Sequence, residues 1–435
     1  MELTETVIRL MTRLAVEHGA VNLSQGFTDE APDYEMTWGA IAALLGGTPE
    51  GCERLESMTL GDLIELSGGS GDNALKMPIK ELLSRLRNPR DQFSQYSFPF
   101  GIRELRLAIA DYTAAFYGHR PDPEGQITVV LGASEGMAAT YRALFSPGDA
   151  VVVMQPFHEI YPSQAGIFGL IPKFVTLRED RERGSWNLDR DELRRAMSDP
   201  AVRAIVVNTP HNPTGKVFGE EELAFIAGLC NEYDRFAITD DIYEHIVFDG
   251  HRHHYLAAFE GMADRTITIN SISKTGKSTG WRIGWVITPP EHTRALRAVH
   301  DNLVVQAPTP LQKGAVELLR RDAGFFAGIA PEYRIKRDRL VAGLRSVGFS
   351  LSPPEGAYYL FADYRKVPAL SGMTSFEAAM HLIKEVGVAT VPGDNFYSPD
   401  SPEAKAEGSS YLRFAFCRSL ETLDAAIERL QRNLR

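Results

Sequence analysis

Two lysines, Lys274 and Lys277, are the first candidates for chemistry in this 435-residue chain. Residues 271–285 have the sequence SISKTGKSTGWRIGW, in which Lys277 follows a glycine and precedes a serine, as in a nucleotide-binding phosphate loop. That loop, GxxxxGK[ST], requires a glycine five residues before Gly276, but Ser271 occupies the position. The sequence therefore indicates a solvated loop role for Lys277 and leaves Lys274 as the lysine with chemistry.

The surroundings of Lys274 are typical of a lysine that carries a phosphorylated cofactor. Ser271 precedes it by three residues and Arg282 follows it by eight. A lysine that forms a Schiff base must be held beside the cofactor's phosphate, which in turn needs hydroxyl donors and a fixed guanidinium. The stretch SISKTGKSTGWRIG resembles the cofactor-lysine signature of class I and II aminotransferases, enzymes of fold type I that use pyridoxal 5'-phosphate. It is most similar to the branch that includes kynurenine and methionine aminotransferases.

The resemblance extends to the family's phosphate-binding segments. LGASEG matches its phosphate-binding turn, which implies that Gly132, Ala133 and Ser134 bind the phosphate. Small residues suit that role, since backbone N–H groups and the positive end of a helix hold the anion. QYSFPFG places Tyr96 where the family has a tyrosine that reaches across a homodimer to the neighbouring subunit's phosphate.

Further motifs match the family's ring-binding and substrate-binding residues. In NTPHNPTGKVF, Asn212 corresponds to the residue that hydrogen-bonds the cofactor's ring oxygen, an oxygen that Tyr243 of TDDIYEH shares. Asp240 corresponds to the carboxylate that keeps the pyridine nitrogen protonated. The resemblance also implies that Arg413 of SYLRFAFCR and Asn212 hold the substrate, the arginine at its α-carboxylate. Gly26 of VNLSQGF corresponds to a glycine near the substrate.

Three features depart from the family pattern. The turn QPFHEIY places His158 where relatives have an aromatic ring stacked on the cofactor, and either His158 or the neighbouring Phe157 takes that role. The run 275–278 is small and polar where close relatives usually include a large apolar residue. A family-atypical insert at about 45–90 is interpreted as a lid, a part of the dimer contact, or a surface excursion without a chemical role.

Alternating elements must position these residues. From about residue 97, QITVVLGAS predicts a buried strand that runs into a Gly/Ser turn, and further short β-branched runs end in polar clusters and are separated by helical or loop stretches; these runs are DAVVVMQP, AIVVNTP, FAITDDIY and TITINSIS. This alternation predicts parallel strands with crossover helices and a ligand site beyond their carboxyl ends. The resemblance implies the α/β architecture of a fold type I enzyme, in which helices flank a mainly parallel central sheet and a smaller α+β domain is attached.

We predict three parts along the chain. Residues 1–95 form an N-terminal arm and a segment contributing to the small domain, residues 96–305 form a large cofactor-binding domain, and residues 306–435 form a C-terminal small domain. Within the first part, residues 45–75 are rich in Gly, Ser and Glu and predict loops around a short helix.

Composition excludes several classes of partner. The charge balance of 46 Lys and Arg against 57 Asp and Glu gives a formal net charge of −11, which argues against nucleic acid or an anionic membrane as a partner. No apolar run approaches membrane-spanning length. The three cysteines, Cys52, Cys230 and Cys417, show no metal-ligand spacing. We therefore expect a cytoplasmic protein with reduced thiols and no bound metal.

The expected reaction is the transfer of the α-amino group from a neutral or aromatic L-amino acid to a 2-oxo acid, with Lys274 moving the α-proton. The segments HDNLVVQAPTPLQ and PEGAYYLFADY suggest the apolar and aromatic pocket walls behind this choice of substrate. A β-eliminating C–S lyase, or another specialised-pathway enzyme such as a decarboxylating deaminase or a cyclase, shares the early steps and remains the alternative. A non-catalytic binding domain is disfavoured while Lys274, Asp240 and Arg413 are all present.

Overall fold

The structure is a computed structural model, and it describes residues 7–66, 77–88 and 93–434. The chain divides into two compact units. The larger unit comprises Met1–Ala31, Met137–Asn270 and Asp322–Arg435, and the smaller unit comprises Pro32–Gly136 and Ser271–Arg321. The three-part division at residues 95 and 305 stays a prediction.

Buried, β-branched strands form the main sheet of the larger unit. These strands are β3 Ala150–Gln155, β4 Ile171–Asp180, β5 Ser185–Leu188, β6 Val202–Asn208, β7 Phe236–Asp240 and β8 Thr266–Ser271. They are ordered β8-β7-β6-β3-β4-β5, with parallel pairing throughout except between β4 and β5. Every residue of β3 and of β8 is buried, as expected for strands covered on both faces. The prediction of parallel strands for the four central runs is confirmed.

The strand register brings polar residues to one edge of this sheet. Asn208, the last residue of β6, pairs with Asp240, the last residue of β7, and Asp240 pairs with Ile269 of β8. The carboxyl ends of these parallel strands therefore meet, which is where open α/β sheets bind ligands.

Two small sheets complete the strands of the larger unit. Their members are β1 Val21–Asn22, β10 Tyr359–Asp363, β11 Val388–Ala389, β12 Val391–Pro392 and β13 Tyr411–Ala415. β1 pairs with β11 in parallel, and β10-β13-β12 form an antiparallel sheet. In the second sheet Phe361 lies opposite Arg413, so the strand pairing fixes the position of that arginine.

The helices of the larger unit pack on these sheets through apolar faces; Leu223 and Ile226 of helix Glu220–Tyr233, for example, belong to the same buried apolar cluster as Ile205 of β6. Its α-helices are Val7–Glu17, Ile160–Ile167, Arg190–Met197, Glu220–Tyr233, Ala323–Ser346, Ser375–His381, Pro402–Ala406 and Leu420–Asn433. Short 3-10 helices span Leu256–Ala258, Pro368–Leu370, Gly393–Phe396 and Gly408–Ser410, and a π-helix spans Leu382–Val386.

The smaller unit is mostly helical. Its strands β2 Ile127–Val130 and β9 Gly284–Ile287 pair antiparallel. Its helices are Tyr34–Gly46, Pro49–Ser57, Leu60–Leu66, Ile79–Leu86, Arg103–Tyr117, Ile272–Thr275, Pro290–Val304 and Thr309–Leu319. Helix Ala133–Leu144 begins in this unit and continues in the larger one.

The expectation of loops around one short helix at 45–75 is wrong. Two helices, Pro49–Ser57 and Leu60–Leu66, fill most of its described part. Gly47 ends the preceding helix with a φ of 67°, and the Thr48 hydroxyl caps the next helix by accepting from the N–H of Gly51 at 3.1 Å. Glycine and threonine, which are frequent in loops, serve here as helix caps.

Of the predicted insert at about 45–90, residues 67–76 and 89–90 lie outside the described residues. Among the described residues, no helix combines the length and apolar character that crossing a membrane requires. In the same part of the chain, no cluster of His, Cys, Asp and Glu side chains is arranged to hold a metal ion.

Candidate active site

The smaller unit presents a helix start at the turn predicted to bind phosphate. Helix Ala133–Leu144 begins directly after Gly132, whose φ of 76° lies in the left-handed region. A Cβ on Gly132 would lie 2.2 Å from Nη2 of Arg282, so glycine alone lets the guanidinium lie against this turn. The N–H groups of Ala133 and Ser134 belong to the first turn of this helix, and with the Arg282 cation they form a site for an anion.

Backbone carbonyl groups hold the Arg282 guanidinium. Nη1 donates to the carbonyl oxygen of Thr279 at 3.0 Å, and Nη2 donates to that of Leu131 at 3.4 Å. Both acceptors are uncharged, so neither bond neutralises the cation. Burial lowers the pKa of Arg282, because the charged form is less well solvated. Its φ of 58° is a strained backbone conformation of the kind that clusters at functional sites.

Lys274 lies on a single turn of helix, Ile272–Thr275, directly after β8. Ser271 caps that turn, since its Oγ accepts from the N–H of Ser273 at 3.3 Å. The side chain of Lys274 is half-buried, whereas Ser273 and Thr275 on either side are buried. The structure thus places Ser271 and Lys274 together at the end of a strand.

Close packing explains the small residues that follow Lys274. A Cβ on Gly276 would lie 2.8 Å from Cδ2 of Leu318 and 3.0 Å from Sδ of Met36. The buried Ser278 hydroxyl donates to the carbonyl oxygen of Ile272 at 3.4 Å, which closes the turn. Lys277 is half-buried, and no helix occurs in the described stretch 276–289, so the helix that follows a nucleotide phosphate loop is missing there.

In the larger unit, Asp240 is fixed at the end of β7 by two neighbours. The Tyr161 hydroxyl donates to Oδ2 of Asp240 at 2.6 Å, and Nδ2 of Asn208 donates to the Asp240 carbonyl oxygen at 2.9 Å. Burial, together with the adjacent Asp240 carboxylate, holds the pKa of Tyr161 well above its ordinary value. Tyr161 therefore remains a protonated donor that sets the rotation of the carboxylate.

The contacts of His158 and Phe157 differ, and they favour one of the two as the residue that would stack on the cofactor. Phe157 is buried, and its ring lies 5.4 Å from that of Phe174. His158 is half-buried, with its ring edge-on to Tyr161 at 5.7 Å. Since Phe157 belongs to the packing of the larger unit and His158 contacts the tyrosine that holds Asp240, His158 is the better candidate for stacking.

Arg413 is buried with part of its hydrogen-bonding capacity unused. It donates from Nη1 to Oδ1 of Asn212 at 2.9 Å and from Nη2 to the carbonyl oxygen of Ser24 at 2.7 Å. Its Nε has no hydrogen-bond partner among the described residues. The guanidinium carbon lies 4.3 Å from the ring centroid of Tyr359 and 4.9 Å from that of Phe396. This arrangement fixes a fork-shaped donor suited to a carboxylate.

Gly26 and Tyr243 both contact Tyr359. Tyr243 donates its hydroxyl proton to the Tyr359 hydroxyl at 3.2 Å. A Cβ on Gly26 would lie 2.1 Å from Oη of Tyr359 and 2.8 Å from a ring carbon of Tyr358. Glycine at position 26 is therefore required by the two tyrosine rings packed against it.

Tyr96 projects from an anchored segment of the smaller unit. The N–H and the hydroxyl of Ser97 donate to Oε1 of Gln306 at 2.6 and 2.9 Å. The Tyr96 side chain itself is 83% exposed. Tyr96 thus lies on the surface of this chain.

The sequence-predicted residues fall into two groups by compact unit. The phosphate cluster of the smaller unit consists of Gly132, Ala133, Ser134, Ser271, Lys274 and Arg282. The ring cluster of the larger unit consists of Gly26, His158, Asn212, Asp240, Tyr243 and Arg413. Sequence reasoning did not assign Tyr161, Tyr359, Asn208 or Ser24, which reach the ring cluster from distant positions in the chain. All four lie within quoted stretches, which are QPFHEIY, PEGAYYLFADY, NTPHNPTGKVF and VNLSQGF, but the family pattern assigns the site roles in those stretches to other residues or to none.

Comparisons with known proteins agree over nearly the whole chain. The family model described as aminotransferase class I and II matches residues 63–430. A probable N-succinyldiaminopimelate aminotransferase of Mycobacterium tuberculosis is 36% identical over 98% of this chain and 95% of its own. Human kynurenine–oxoglutarate transaminase 1 is 31% identical over 97% of this chain and 94% of its own.

Solved structures of similar proteins lead to the same group. The N-succinyldiaminopimelate aminotransferase structure from Mycobacterium tuberculosis has a TM-score of 0.83 and 34% identity, over 98% of this chain and 97% of that one. The structure of YbdL from Escherichia coli, reported with a methionine aminotransferase function, has a TM-score of 0.80 and 28% identity, over 99% and 97%.

Proposed function

The chain belongs to the class I and II aminotransferases, and from that premise we propose that it carries pyridoxal 5'-phosphate on Lys274. The predicted family and fold type I architecture are confirmed, and the protein is an enzyme that transfers amino groups. We propose further that the donor is a neutral or aromatic L-amino acid and the acceptor a 2-oxo acid. The observation that carries the cofactor proposal is the Arg282 guanidinium lying over Gly132 at a helix start.

The phosphate cluster fits the cofactor's phosphate. The Gly132 turn leaves room for a guanidinium that a Cβ would displace, and Arg282 receives no compensating charge from its two carbonyl acceptors. First-turn N–H groups, including that of Ser134, add donors of the kind that bind phosphate. The Ser271 hydroxyl and the Lys274 amine complete a donor set suited to a phosphorylated aldehyde.

The ring cluster fits the cofactor's pyridine ring. Pyridoxal phosphate, when bound, supplies an electron sink that stabilises negative charge at the substrate's α-carbon. Asp240 would accept a hydrogen bond from the ring nitrogen, and the Tyr161 donation fixes the carboxylate for that task. Asn212 and Tyr243 would donate to the ring oxygen, and the His158 ring would lie against the ring face.

The family resemblance, which covers the motifs of both clusters, supports assigning both to one cofactor. Lys274 would take the proton from the substrate's α-carbon as a base and then, as an acid, deliver it to the C4′ carbon of the cofactor.

Arg413 would bind the α-carboxylate of the substrate. Its Nη1 is held by Asn212 and its Nη2 by the Ser24 carbonyl, which fixes the plane of the guanidinium before a substrate arrives. The Tyr359 and Phe396 rings lie on Arg413 and stabilise its charge through cation–π contacts. The proposal of a neutral or aromatic substrate side chain is based on the apolar and aromatic segments HDNLVVQAPTPLQ and PEGAYYLFADY.

We propose a homodimer in which Tyr96 reaches the neighbouring subunit's phosphate. The smaller unit exposes several large apolar side chains, a pattern typical of an interaction surface. They are Tyr34, Ile41, Leu44, Leu60, Leu83, Tyr96, Phe98, Leu303 and Val305. We also propose a cytoplasmic location and no nucleic acid or membrane partner; Cys52, Cys230 and Cys417 are buried thiols rather than disulfides, and the net charge is −11.

Mixing two impaired variants tests the dimer. Lys274→Ala and Tyr96→Ala damage different contributions to a shared site, so a mixture allowed to exchange subunits should regain activity that neither variant has alone. Sedimentation should show two chains per particle. Monomers, or mixtures with no regained activity, would contradict the shared site.

The reaction is tested by half-turnover without an acceptor. The cofactor-loaded protein would receive a panel of neutral, aromatic and acidic amino acids, including substrates with a leaving group on the β-carbon, while cofactor absorbance and ammonia are followed. We expect one amino group per site to be transferred from neutral or aromatic donors, with no ammonia released. Repeated turnover that releases ammonia would instead identify an eliminating lyase.

A further inference from the structure

Tyr359 is a buried tyrosine of the segment PEGAYYLFADY, to which the sequence assigned no individual role. It is the first residue of β10 and pairs with Ala415, while Phe361, two residues on and on the same face, pairs with Arg413. The Tyr359 ring therefore lies diagonally beside Arg413, with the guanidinium carbon 4.3 Å from the ring centroid. The sheet register thus places an aromatic ring against the proposed carboxylate-binding arginine.

The hydroxyl of Tyr359 is directed at two other residues of the ring cluster. It accepts the proton of Tyr243 at 3.2 Å. It also lies so close to Gly26 that a Cβ there would be 2.1 Å away. The side chain is 4% exposed, so its hydroxyl has protein neighbours rather than bulk solvent.

The hydroxyl groups of Tyr243 and Tyr359 each have one proton to donate. In the hydrogen bond between them, only one of the two can be the donor at a time. Burial raises the pKa of Tyr243 and that of Tyr359, so both keep their protons near neutral pH. Tyr243 donates to Tyr359 in this structure, and that proton is then not available to another acceptor. If Tyr243 turns its proton to a negative oxygen, Tyr359 can donate to Tyr243, and each bond strengthens the next.

We propose that Tyr359 is a positioning residue that strengthens the donation of Tyr243 to the cofactor's ring oxygen. The inference rests on the proposed function, which assigns Tyr243 to that oxygen. The Tyr359 hydroxyl would donate to Tyr243 and so help Tyr243 to stabilise negative charge on the cofactor's ring oxygen. This would lower the proton affinity of the linkage between Lys274 and the cofactor.

Tyr358 provides a matched control in the same strand segment. It is also a buried phenol, and its ring lies 5.1 Å from that of Tyr243. Its hydroxyl, however, donates to the backbone carbonyl of Gly26 at 3.0 Å. Removing this hydroxyl tests for general effects of losing a phenol beside Gly26 without removing the acceptor of Tyr243.

The experiment measures the resting, cofactor-loaded protein without substrate. The wild type and the variants Tyr359→Phe, Tyr358→Phe, Tyr243→Phe and Tyr243→Phe/Tyr359→Phe would be titrated with pH while the absorbance band of the bound cofactor is followed. We expect Tyr359→Phe to raise the midpoint pH by about 0.5–1 unit, the size of one hydrogen bond. Tyr358→Phe should retain the wild-type midpoint. The double variant should match Tyr243→Phe, because Tyr359 acts only through Tyr243.

An unchanged or lowered midpoint in Tyr359→Phe would overturn the inference, as would an equal shift in Tyr358→Phe or a further shift in the double variant. Circular dichroism of each variant checks that it is folded. A wild-type protein that acquires no titrating cofactor band would instead contradict the proposed function, so the two failures are distinguishable.

Discussion

The phosphate cluster and the ring cluster are built on different principles. In the smaller unit, backbone shape defines the site: Gly132 and Arg282 both have φ in the left-handed region, and carbonyl groups hold the guanidinium. In the larger unit, hydrogen bonds between buried side chains define it, such as Tyr161 to Asp240 and Arg413 to Asn212. The phosphate cluster should therefore be sensitive to an added methyl group, and the ring cluster to a lost hydroxyl.

The largest expected effect is the difference in amino-transfer rate between substitutions of Lys274 and of Lys277. Lys274→Ala removes the proposed proton carrier and should lower the rate of amino transfer by at least about 10²–10⁴-fold, the usual contribution of a general acid or base. Lys277→Ala, three residues away, should retain a rate near that of the wild type. Single-turnover absorbance kinetics measure both. Equal losses in the two variants would remove the distinction on which the site assignment depends.

An added methyl group tests the backbone-defined cluster. Gly132→Ala combines a positive φ of 76° with a Cβ 2.2 Å from Arg282. A strain of about 1–3 kcal/mol corresponds to roughly a tenfold to hundredfold loss of pyridoxal phosphate affinity, since about 1.4 kcal/mol is tenfold. Equilibrium dialysis would measure the loss.

Gly228→Ala is the matched control, because apart from the backbone of its own helix and its chain neighbours nothing lies within 4 Å of a Cβ at that position. It should bind the cofactor as the wild type does. Full affinity in Gly132→Ala would show that the turn is not the phosphate site.

A lost hydroxyl tests the side-chain-defined cluster. Tyr161→Phe removes a 2.6 Å donation to Asp240. Hydrogen bonds to charged groups contribute about 1.5–3 kcal/mol, so amino transfer should slow by roughly tenfold to hundredfold. Tyr141→Phe is the control, since the buried Tyr141 hydroxyl has no partner among the described residues. The same slowing in both variants would indicate a packing effect instead.

The smallest expected effect concerns a buried charge that supports the phosphate turn. His300 is fully buried, with Nδ1 3.1 Å from both Glu135 oxygens and Nε2 2.9 Å from the Pro99 carbonyl oxygen. A carboxylate and a carbonyl oxygen both accept hydrogen bonds, so this environment favours the imidazole with both nitrogens protonated. Glu135 in turn accepts from the N–H of Leu131 at 3.0 Å, next to the phosphate turn.

The pH dependence of the folding stability follows from the direction in which the pKa of His300 is shifted. Burial alone would lower the pKa of His300, but the hydrogen bond and charge of Glu135, aided by Asp301, outweigh it and raise the pKa. The stabilisation is therefore fully present below the ordinary histidine pKa and is lost as pH rises through the raised one. His300→Gln should flatten this alkaline loss in melting temperature, whereas His292→Gln, at a half-buried position on the same helix, should not. Identical pH profiles for all three proteins would contradict this account.

The motif residues could be predicted from sequence because each motif is local. Asp240, Asn212 and Arg413 each stand in a short stretch with a family pattern, and short β-branched runs predicted the strand that ends at Asp240 and the strand that precedes Asn212. Tyr161 and Tyr359 could not be found in that way. Tyr161 contacts Asp240 across 79 residues, and Tyr359 contacts Tyr243 across 116. Such contacts depend on the tertiary fold, which spacing along a single chain does not record.

The prediction of helices and strands from sequence failed at several places. The glycines of residues 45–75 suggested loops, but Gly47 ends a helix and Thr48 caps the next one. β4 and β9 were not predicted, since the former includes Pro172 and charged residues and the latter, Gly284–Ile287, is only four residues long. His300 also escaped notice, because a lone histidine on a helix shows its role only through the carboxylate and carbonyl that surround it.

Borohydride reduction tests the central claim most directly. The protein loaded with pyridoxal 5'-phosphate would be reduced and digested, and the peptides that carry the cofactor would be identified by mass spectrometry. We predict a single modified residue, Lys274, within the peptide containing SISKTGKSTGWR. Modification of Lys277 in its place, or no modified lysine at all, would contradict the assignment of Lys274 as the cofactor-bearing residue.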